Sequence, residues 1–200
     1  MFPLISAHSL QSRLKTENIR LLDATALLPG DSFNVQEKFL HARLPGSLYF
    51  DIDVFSDPES TQPHTIPTQA HFERLFGELG LQATDTIVFY DQGNVASACR
   101  GWWLARLFGH TEAYILDGGL PAWVRQGGDV DSGTFTRTYA PCAHRSNPYY
   151  ARPQGLGDML DCVQHGPNPI LDARSAVRSY GRAPEPRRGL ACVHMPAART

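Results

Sequence analysis

Three groups of residues in this 200-residue chain have types and spacings that can do chemistry. The segment Tyr90-Asp91-Gln92-Gly93-Asn94-Val95-Ala96-Ser97-Ala98 joins the most strand-like run, Thr86 to Tyr90, to a helical stretch carrying Trp102 and Trp103. Loops that run from the carboxyl end of a strand into a helix N-terminus gather unpaired N–H groups and the positive end of the helix dipole. In open α/β sheets they are therefore where anions and substrates bind. The position suits an active site, but Asp91 puts a carboxylate where donors favour an incoming anion, and no cysteine or serine heads the loop. By its residues the loop reads as structural or vestigial. The second group is Asp53 with His64, eleven residues on in the Pro-rich Gln62-Pro63-His64-Thr65-Ile66-Pro67. A carboxylate that orients an imidazole makes a base, and the same pair in loops also serves as a structural hydrogen bond. The third is Arg174, Arg178, Arg182, Arg187 and Arg188 within 15 residues, Arg178 and Arg187 being nine apart. A planar fork of donors fits a carboxylate or sulfur oxyanion, so two arginines over a loop can clamp a substrate; alone, such a run is a solvated basic face.

Other patterns are weaker. Phe50-Asp51-Ile52-Asp53-Val54 imitates the D-x-D-x-[TV] loop of Mg²⁺-dependent aspartate phosphatases, a short pattern that chance often supplies. Cys99 near the start of the Trp-bearing helix is open to a dipole-lowered thiol pKa or to simple packing against the strand-helix turn, and packing is the commoner fate. No cysteine has an arginine six residues later, which removes the C-x5-R phosphatase loop. The four cysteines Cys99, Cys142, Cys162 and Cys192 form no C-x-x-C pair and the histidines have no metal spacing, so neither metal nor cofactor is expected.

These groups need elements to hold them. A hydrophobic fraction of 42% supplies a core, and 18 Lys+Arg against 20 Asp+Glu give no electrostatic case for nucleic acid or an anionic membrane. The first residues lack a basic, apolar leader, and no run approaches about 20 apolar residues. With unpaired thiols, the expectation is a cytoplasmic protein. Short apolar runs at Ile19 to Ala24, Ser47 to Ile52, Thr86 to Tyr90 and Ala113 to Leu116 read as strands. They alternate with helical stretches at Ser9–Lys15, Gln69–Leu79, Ala98–Phe108 and Leu120–Gln126, which predicts an α/β fold with a mainly parallel sheet flanked by helices. Residues 127–153 turn Gly/Thr/Ser/Pro-rich, after which Ile170-Leu171-Asp172-Ala173 repeats Leu21-Leu22-Asp23-Ala24 and opens an internal repeat.

In order along the chain, Leu22-Asp23-Ala24, Phe50-Asp51-Ile52-Asp53, Pro63-His64-Thr65-Ile66-Pro67, Ile87-Val88-Phe89-Tyr90-Asp91, Ser97-Ala98-Cys99-Arg100-Gly101-Trp102-Trp103, Phe108-Gly109-His110 and Leu116-Asp117-Gly118-Gly119 resemble the first half of tandem-domain rhodanese-type sulfurtransferases. Those acting on thiosulfate and 3-mercaptopyruvate are the most similar. Leu171-Asp172-Ala173-Arg174, Arg178, Tyr180 and Pro184-Glu185-Pro186-Arg187 resemble the opening of the family's second domain. The resemblance implies a rhodanese-like domain of the non-catalytic type over 1–135, a linker over 136–156, and a partial second copy over 157–200. It implies transfer of sulfane sulfur from a small anionic donor, through a cysteine persulfide in the second domain, to a thiol or cyanide acceptor, with no cofactor. Asp91 then stands where the nucleophile would be, Asp53 and His64 match two members of a proposed Ser-His-Asp relay, and Arg178 and Arg187 match the residues that bind the donor's anionic group.

Asp91 stands 68 residues after Asp23, and the same interval from Asp172 falls near residue 240. The nucleophile loop is thus absent from the 200 residues, and the expectation is a truncated second copy and a chain inactive alone. Residues from about 157 onward offer one strand and little else, so they are expected to bury no core of their own and to dock on the first domain or be poorly ordered. Two rivals stand beside the sulfurtransferase reading: a non-catalytic binding or regulatory module, and the phosphatase read from Asp51 and Asp53.

Overall fold

The computed structural model describes residues 3–28, 30–93, 95–135, 139–151, 153–186 and 189–200. They fall into two compact units, Met1–Leu27 with Ser32–Tyr149, and Leu28–Asp31 with Tyr150–Thr200.

The first unit is a five-stranded, all-parallel sheet in the order β1-β5-β4-β2-β3, formed by β1 (Leu4–Ile5), β2 (Ile19–Asp23), β3 (Leu48–Tyr49), β4 (Thr86–Tyr90) and β5 (Ala113–Leu116). Parallel strands need crossovers, and helices α1 (Ala7–Arg13), α2 (Val35–His41), α3 (Gln69–Glu78), α4 (Val95–Leu107) and α5 (Gly119–Arg125) lie along the chain between and after them. Because side chains alternate along a strand, each strand feeds two cores. Leu22, Ile87, Phe89 and Ile115 join one cluster with Phe72 and Phe76 of α3 and Leu104 of α4. Leu21, Val88, Tyr90 and Leu116 join the other with Leu10 of α1 and Leu120 and Trp123 of α5. That two-sided burial is why β4 reads as a continuous apolar run. The first cluster is dense in aromatic rings: Phe72 stacks on Phe108 at 4.1 Å and on Phe76 at 4.3 Å between centroids.

The four predicted strands and four predicted helices are present, with ends shifted by a few residues. Side-chain caps fix several starts: Ser6 accepts from the Ser9 N–H, and Thr68 from that of His71. Two elements of the first unit lie outside that prediction. Strand β1 is two residues long and too short to show a period, and α2, capped by Asn34, buries only Phe39. The stretch expected as a linker is fixed over residues 139–149. The Cys142 N–H donates to the Gly77 oxygen at 2.9 Å, His144 meets the Leu81 oxygen at 2.9 Å, and the Tyr149 N–H donates to the Leu107 oxygen at 2.7 Å. Glycine at position 77 permits this approach, since a Cβ there would lie 2.4 Å from the Cys142 oxygen.

The second unit departs from the one strand expected of it: residues 169–174 form no strand, and Leu171 makes only an isolated bridge. It contains α6 (Leu156–His165), α7 (Ala176–Ser179) and a parallel bridge between Leu171 and Arg199. In that bridge the Asp172 N–H donates to the Arg199 oxygen at 2.7 Å, and the Arg199 N–H donates to the Ile170 oxygen at 2.9 Å. Among its described residues no apolar side chain is buried, and Leu156 and Leu171 are 78% and 77% exposed. No helix among the described residues is long and apolar enough to cross a membrane.

Candidate functional site

In a parallel sheet every strand delivers its carboxyl end to one rim, so the loops after β2, β3, β4 and β5 open on the same side of the first unit. Strand β2 ends on Asp23, which is fully buried. Its Oδ1 accepts the Thr25 N–H at 2.9 Å and the Thr25 hydroxyl, and its Oδ2 accepts from Gln92 Nε2 at 3.0 Å. Burial raises the carboxyl pKa of Asp23, and the donated hydrogen bonds from Thr25 and Gln92 offset part of that rise. Gln92 completes the network, donating its N–H to Thr25 Oγ1 and its amide to the Ala42 oxygen. Tyr90, at the end of β4, is also buried. Its Oη lies 2.8 Å from Ser47 Oγ and accepts the Leu44 N–H, while burial holds the phenol well above its ordinary pKa.

Asp91 is 3% exposed and turns back on its own loop. Its Oδ1 accepts the Gly93 N–H at 2.9 Å, and its backbone oxygen accepts the Leu120 N–H at 2.8 Å. Gly119 makes the second contact possible. It holds φ +56°, and a Cβ on it would sit 2.3 Å from the Asp91 oxygen. Asn94 lies outside the described residues. One donor of this loop, the Gly93 N–H, is thus met by the loop's own carboxylate. Cys99, half-buried at the start of α4, has its thiol pKa raised, first by burial and then by the charge of Asp91. The dipole-activated thiol is therefore not realised.

The pair expected from Asp53 and His64 forms. His64 Nε2 lies 2.9 Å from Asp53 Oδ1, and because a carboxylate only accepts, Nε2 carries the proton and Nδ1 is left to accept when the ring is neutral. The pair is open to solvent, with the Asp53 side chain 83% and the His64 side chain 34% exposed. Asp53 is placed by Asp51, whose Oδ1 accepts the N–H groups of Asp53 at 3.0 Å and Val54 at 3.3 Å. His64 holds φ +58°, a left-handed conformation that costs a residue with a Cβ about 1–2 kcal/mol. Arg100 Nη2 reaches from α4 to donate to the His64 backbone oxygen at 2.5 Å. The phosphatase reading does not survive this geometry: Asp51 caps its own turn, Asp53 faces an imidazole, and no cluster of three or more His, Cys, Asp or Glu among the described residues is arranged to hold a metal ion.

In the second unit, Arg178 is not part of a free basic face. Its Nη2 donates to Glu185 Oε2 at 2.5 Å, and Arg174 donates to Glu185 Oε1 and to Asp172. These contacts pull the Asp172 and Glu185 carboxyls below their ordinary range and raise the Arg174 guanidinium. Two arginines are so matched by two carboxylates. Arg178 Nε, however, is buried without a partner among the described residues. Arg187 lies outside the described residues. Sequence reasoning gave no role to Asp23, Thr25, Gln92 or Arg100. Asp23 stood inside the repeated Leu-Asp-Ala motif, the one signal available, and Arg100 inside Ser-Ala-Cys-Arg-Gly-Trp-Trp.

Comparison with known proteins places this chain among relatives. The rhodanese-like domain model matches residues 6–126. The chain is 32% identical over 98% of its length to thiosulfate/3-mercaptopyruvate sulfurtransferase 1 of Arabidopsis thaliana, a mitochondrial protein, and spans 57% of that relative. It is 32% identical to the 3-mercaptopyruvate sulfurtransferase of Escherichia coli K12, across 97% of this chain and 69% of the relative. The crystal structure of SseA from Escherichia coli, a 3-mercaptopyruvate sulfurtransferase, superposes with a TM-score of 0.85 at 30% identity, covering 99% of this chain and 74% of the other.

Proposed function

This chain belongs to the rhodanese-like domain family, and from that premise we propose that it serves the transfer of sulfane sulfur from a small anionic donor, thiosulfate or 3-mercaptopyruvate, to a thiol or cyanide acceptor through a cysteine persulfide. The observation that carries the reading is the Asp53–His64 pair, solvent-open and joined at 2.9 Å. An imidazole whose Nε2–H is held by a carboxylate presents Nδ1 as a base, and the positive charge it gains on protonation is met by Asp53. In this role the pair manages the proton of the nucleophile or of the departing group. Arg178 and Arg187 recognise the donor's anionic group, with two guanidinium forks matching a carboxylate or sulfur oxyanion.

The persulfide needs a thiolate; Asp91 carries no sulfur, and burial raises the pKa of the Cys99 thiol. We place residues 1–135 as the non-catalytic rhodanese-like domain and 157–200 as the opening of a second copy, joined through 136–156. The repeated Leu-Asp-Ala motif, with Leu171 in a parallel bridge to Arg199, supports that view. The reading includes a cytoplasmic location, supported by four unpaired cysteines, and no nucleic-acid partner, supported by the net charge of −2.

A second reading, an anion- or protein-binding module without turnover, is favoured by Asp91 at the end of β4 and by Arg178 paired to Glu185. Incubation with thiosulfate or 3-mercaptopyruvate plus cyanide separates the two. Thiocyanate release that depends on a cysteine supports sulfur transfer by this chain. Its absence, with donor binding retained in calorimetry, supports the binding module. Release that survives replacement of all four cysteines overturns the persulfide chemistry.

A further inference from the structure

We infer that Arg100 is the positioning residue of the Asp53–His64 pair, acting through the backbone of His64; the inference rests on the reading of that pair as a proton relay. His64 lies in a loop with no strand or helix to fix it, and its backbone is left-handed at φ +58°. Neighbouring contacts tie Thr65, whose oxygen accepts the Asp57 N–H at 3.2 Å and whose hydroxyl meets Ser60 Oγ at 2.7 Å. The contact on the His64 peptide itself comes from Arg100 Nη2. A charged donor on a main-chain oxygen is among the stronger neutral-acceptor bonds, and it fixes the peptide plane from which the imidazole projects.

Arg100 is well placed to act as a fixed reference. Its guanidinium lies over the Trp103 ring, 4.8 Å from the centroid. The next residue, Gly101, lets α4 close onto β4, since a Cβ there would lie 2.6 Å from Phe89 Cδ1. Leu104 and Ala105, one turn on, are fully buried. The sheet therefore sets α4, α4 sets Arg100, and Arg100 sets the His64 peptide. Since the bond is made to the backbone, the ring keeps Nε2 for Asp53 and Nδ1 for chemistry. Among the described residues, the charged groups that the hydrogen bonds bring to the pair are Asp53, bonded to the imidazole; Asp51, turned onto the Asp53 N–H; and Arg100 itself.

The test reads the reactivity of His64 in the 200-residue chain with no sulfur donor present, so it stands apart from the fate of the sulfur-transfer reading, which the thiocyanate assay decides. Carboethoxylation of His64 by diethyl pyrocarbonate is followed by peptide mass spectrometry, with exposed His8 as internal standard, in wild type, Arg100→Met, Arg100→Lys, Asp53→Asn and the Arg100→Met/Asp53→Asn double variant. Arg100→Met is expected to change the His64 rate about three- to tenfold, in the direction that Asp53→Asn changes it, the scale of one lost hydrogen bond. The double variant is expected to go no further than the larger single effect, and Arg100→Lys to retain most of the wild-type rate. A wild-type rate in folded Arg100→Met, or effects that multiply in the double variant, would overturn the inference. If near-ultraviolet circular dichroism shows Arg100→Met unfolded, Arg100→Gln takes its place in the same cycle.

Discussion

Glu73 on α3 accepts both the backbone N–H of Ser146 at 2.8 Å and its hydroxyl at 3.1 Å, across 73 residues of sequence. Gln69 donates to the same carboxylate oxygen at 3.0 Å. The carboxylate thereby clamps residues 139–149 onto α3. The Ser146 N–H, followed by Gln69, holds the Glu73 carboxyl at about 2. A carboxyl depressed in the folded state stabilises it above the unfolded pKa near 4.5, and that contribution fades as pH falls from there toward 2. Hydrogen exchange at Ser146 and Asn147 is therefore expected to show protection at pH 7 that is lost towards pH 2–3. Glu73→Gln is expected to remove much of it at pH 7 and to open 139–149 to proteolysis. Equal protection in the variant would contradict the clamp.

Asp23 has the opposite linkage. Its carboxyl is raised by burial, so the folded state holds a proton more tightly than the unfolded chain, and its contribution to stability declines as pH rises from about 4 through the raised value. Asp23→Asn removes that decline. The gap in urea midpoint between variant and wild type is expected to move in the variant's favour between pH 4 and pH 8. A gap that does not change with pH would show that Asp23 ionises as it does in water.

Gly119→Ala brings two costs together, a left-handed backbone and a Cβ 2.3 Å from the Asp91 oxygen. A loss of about 2–4 kcal/mol is expected in urea unfolding. Because the Leu120 N–H bond to Asp91 must lengthen, amide shifts at Asp91 and Gln92 are expected to change in the NMR spectrum. Gly133→Ala is the control, holding φ +77° with no atom within 4 Å of its Cβ, and is expected to cost only the backbone part.

Glu185→Gln breaks the match of Arg178 with its carboxylate. If Arg178 recognises the donor, thiosulfate binding measured by calorimetry is expected to tighten about three- to tenfold, since the guanidinium no longer has to leave an ionised partner. Arg178→Met is expected to abolish the gain. Unchanged binding in both variants would remove Arg178 from donor recognition.

The sequence carried the interior of the fold and the local part of the site. Strand β4 was legible to the residue because burial on both faces leaves a continuous apolar run, and Asp53 with His64 was legible because both partners sit within one loop region. What lay hidden was long-range. Strand β1 exists through its pairing with β5, and Arg100 meets His64 across 36 residues with no local pattern to announce it. The arginine cluster showed its cations but not its lock, because Glu185 reads as one acidic residue among prolines until Arg174 and Arg178 are seen to share it. Helix α6 was overlooked for a different reason: its apolar residues Leu156 and Leu160 stay exposed, so no core explains its amphipathic pattern.

Asp23, Asp51 and Asp91 stand at or just beyond the ends of β2, β3 and β4, and each accepts the N–H two residues on. Such a carboxylate is a tethered competitor, present at its donors in an effective concentration of about a millimolar or more. A free anion of modest affinity loses that contest at all three places without any steric barrier. At the ends of all three strands the chain thus supplies its own acceptor, and Asp→Asn would remove the charge there without removing the acceptor, since an Asn Oδ1 takes the N–H two residues on in the same way, as Asn34 does before α2.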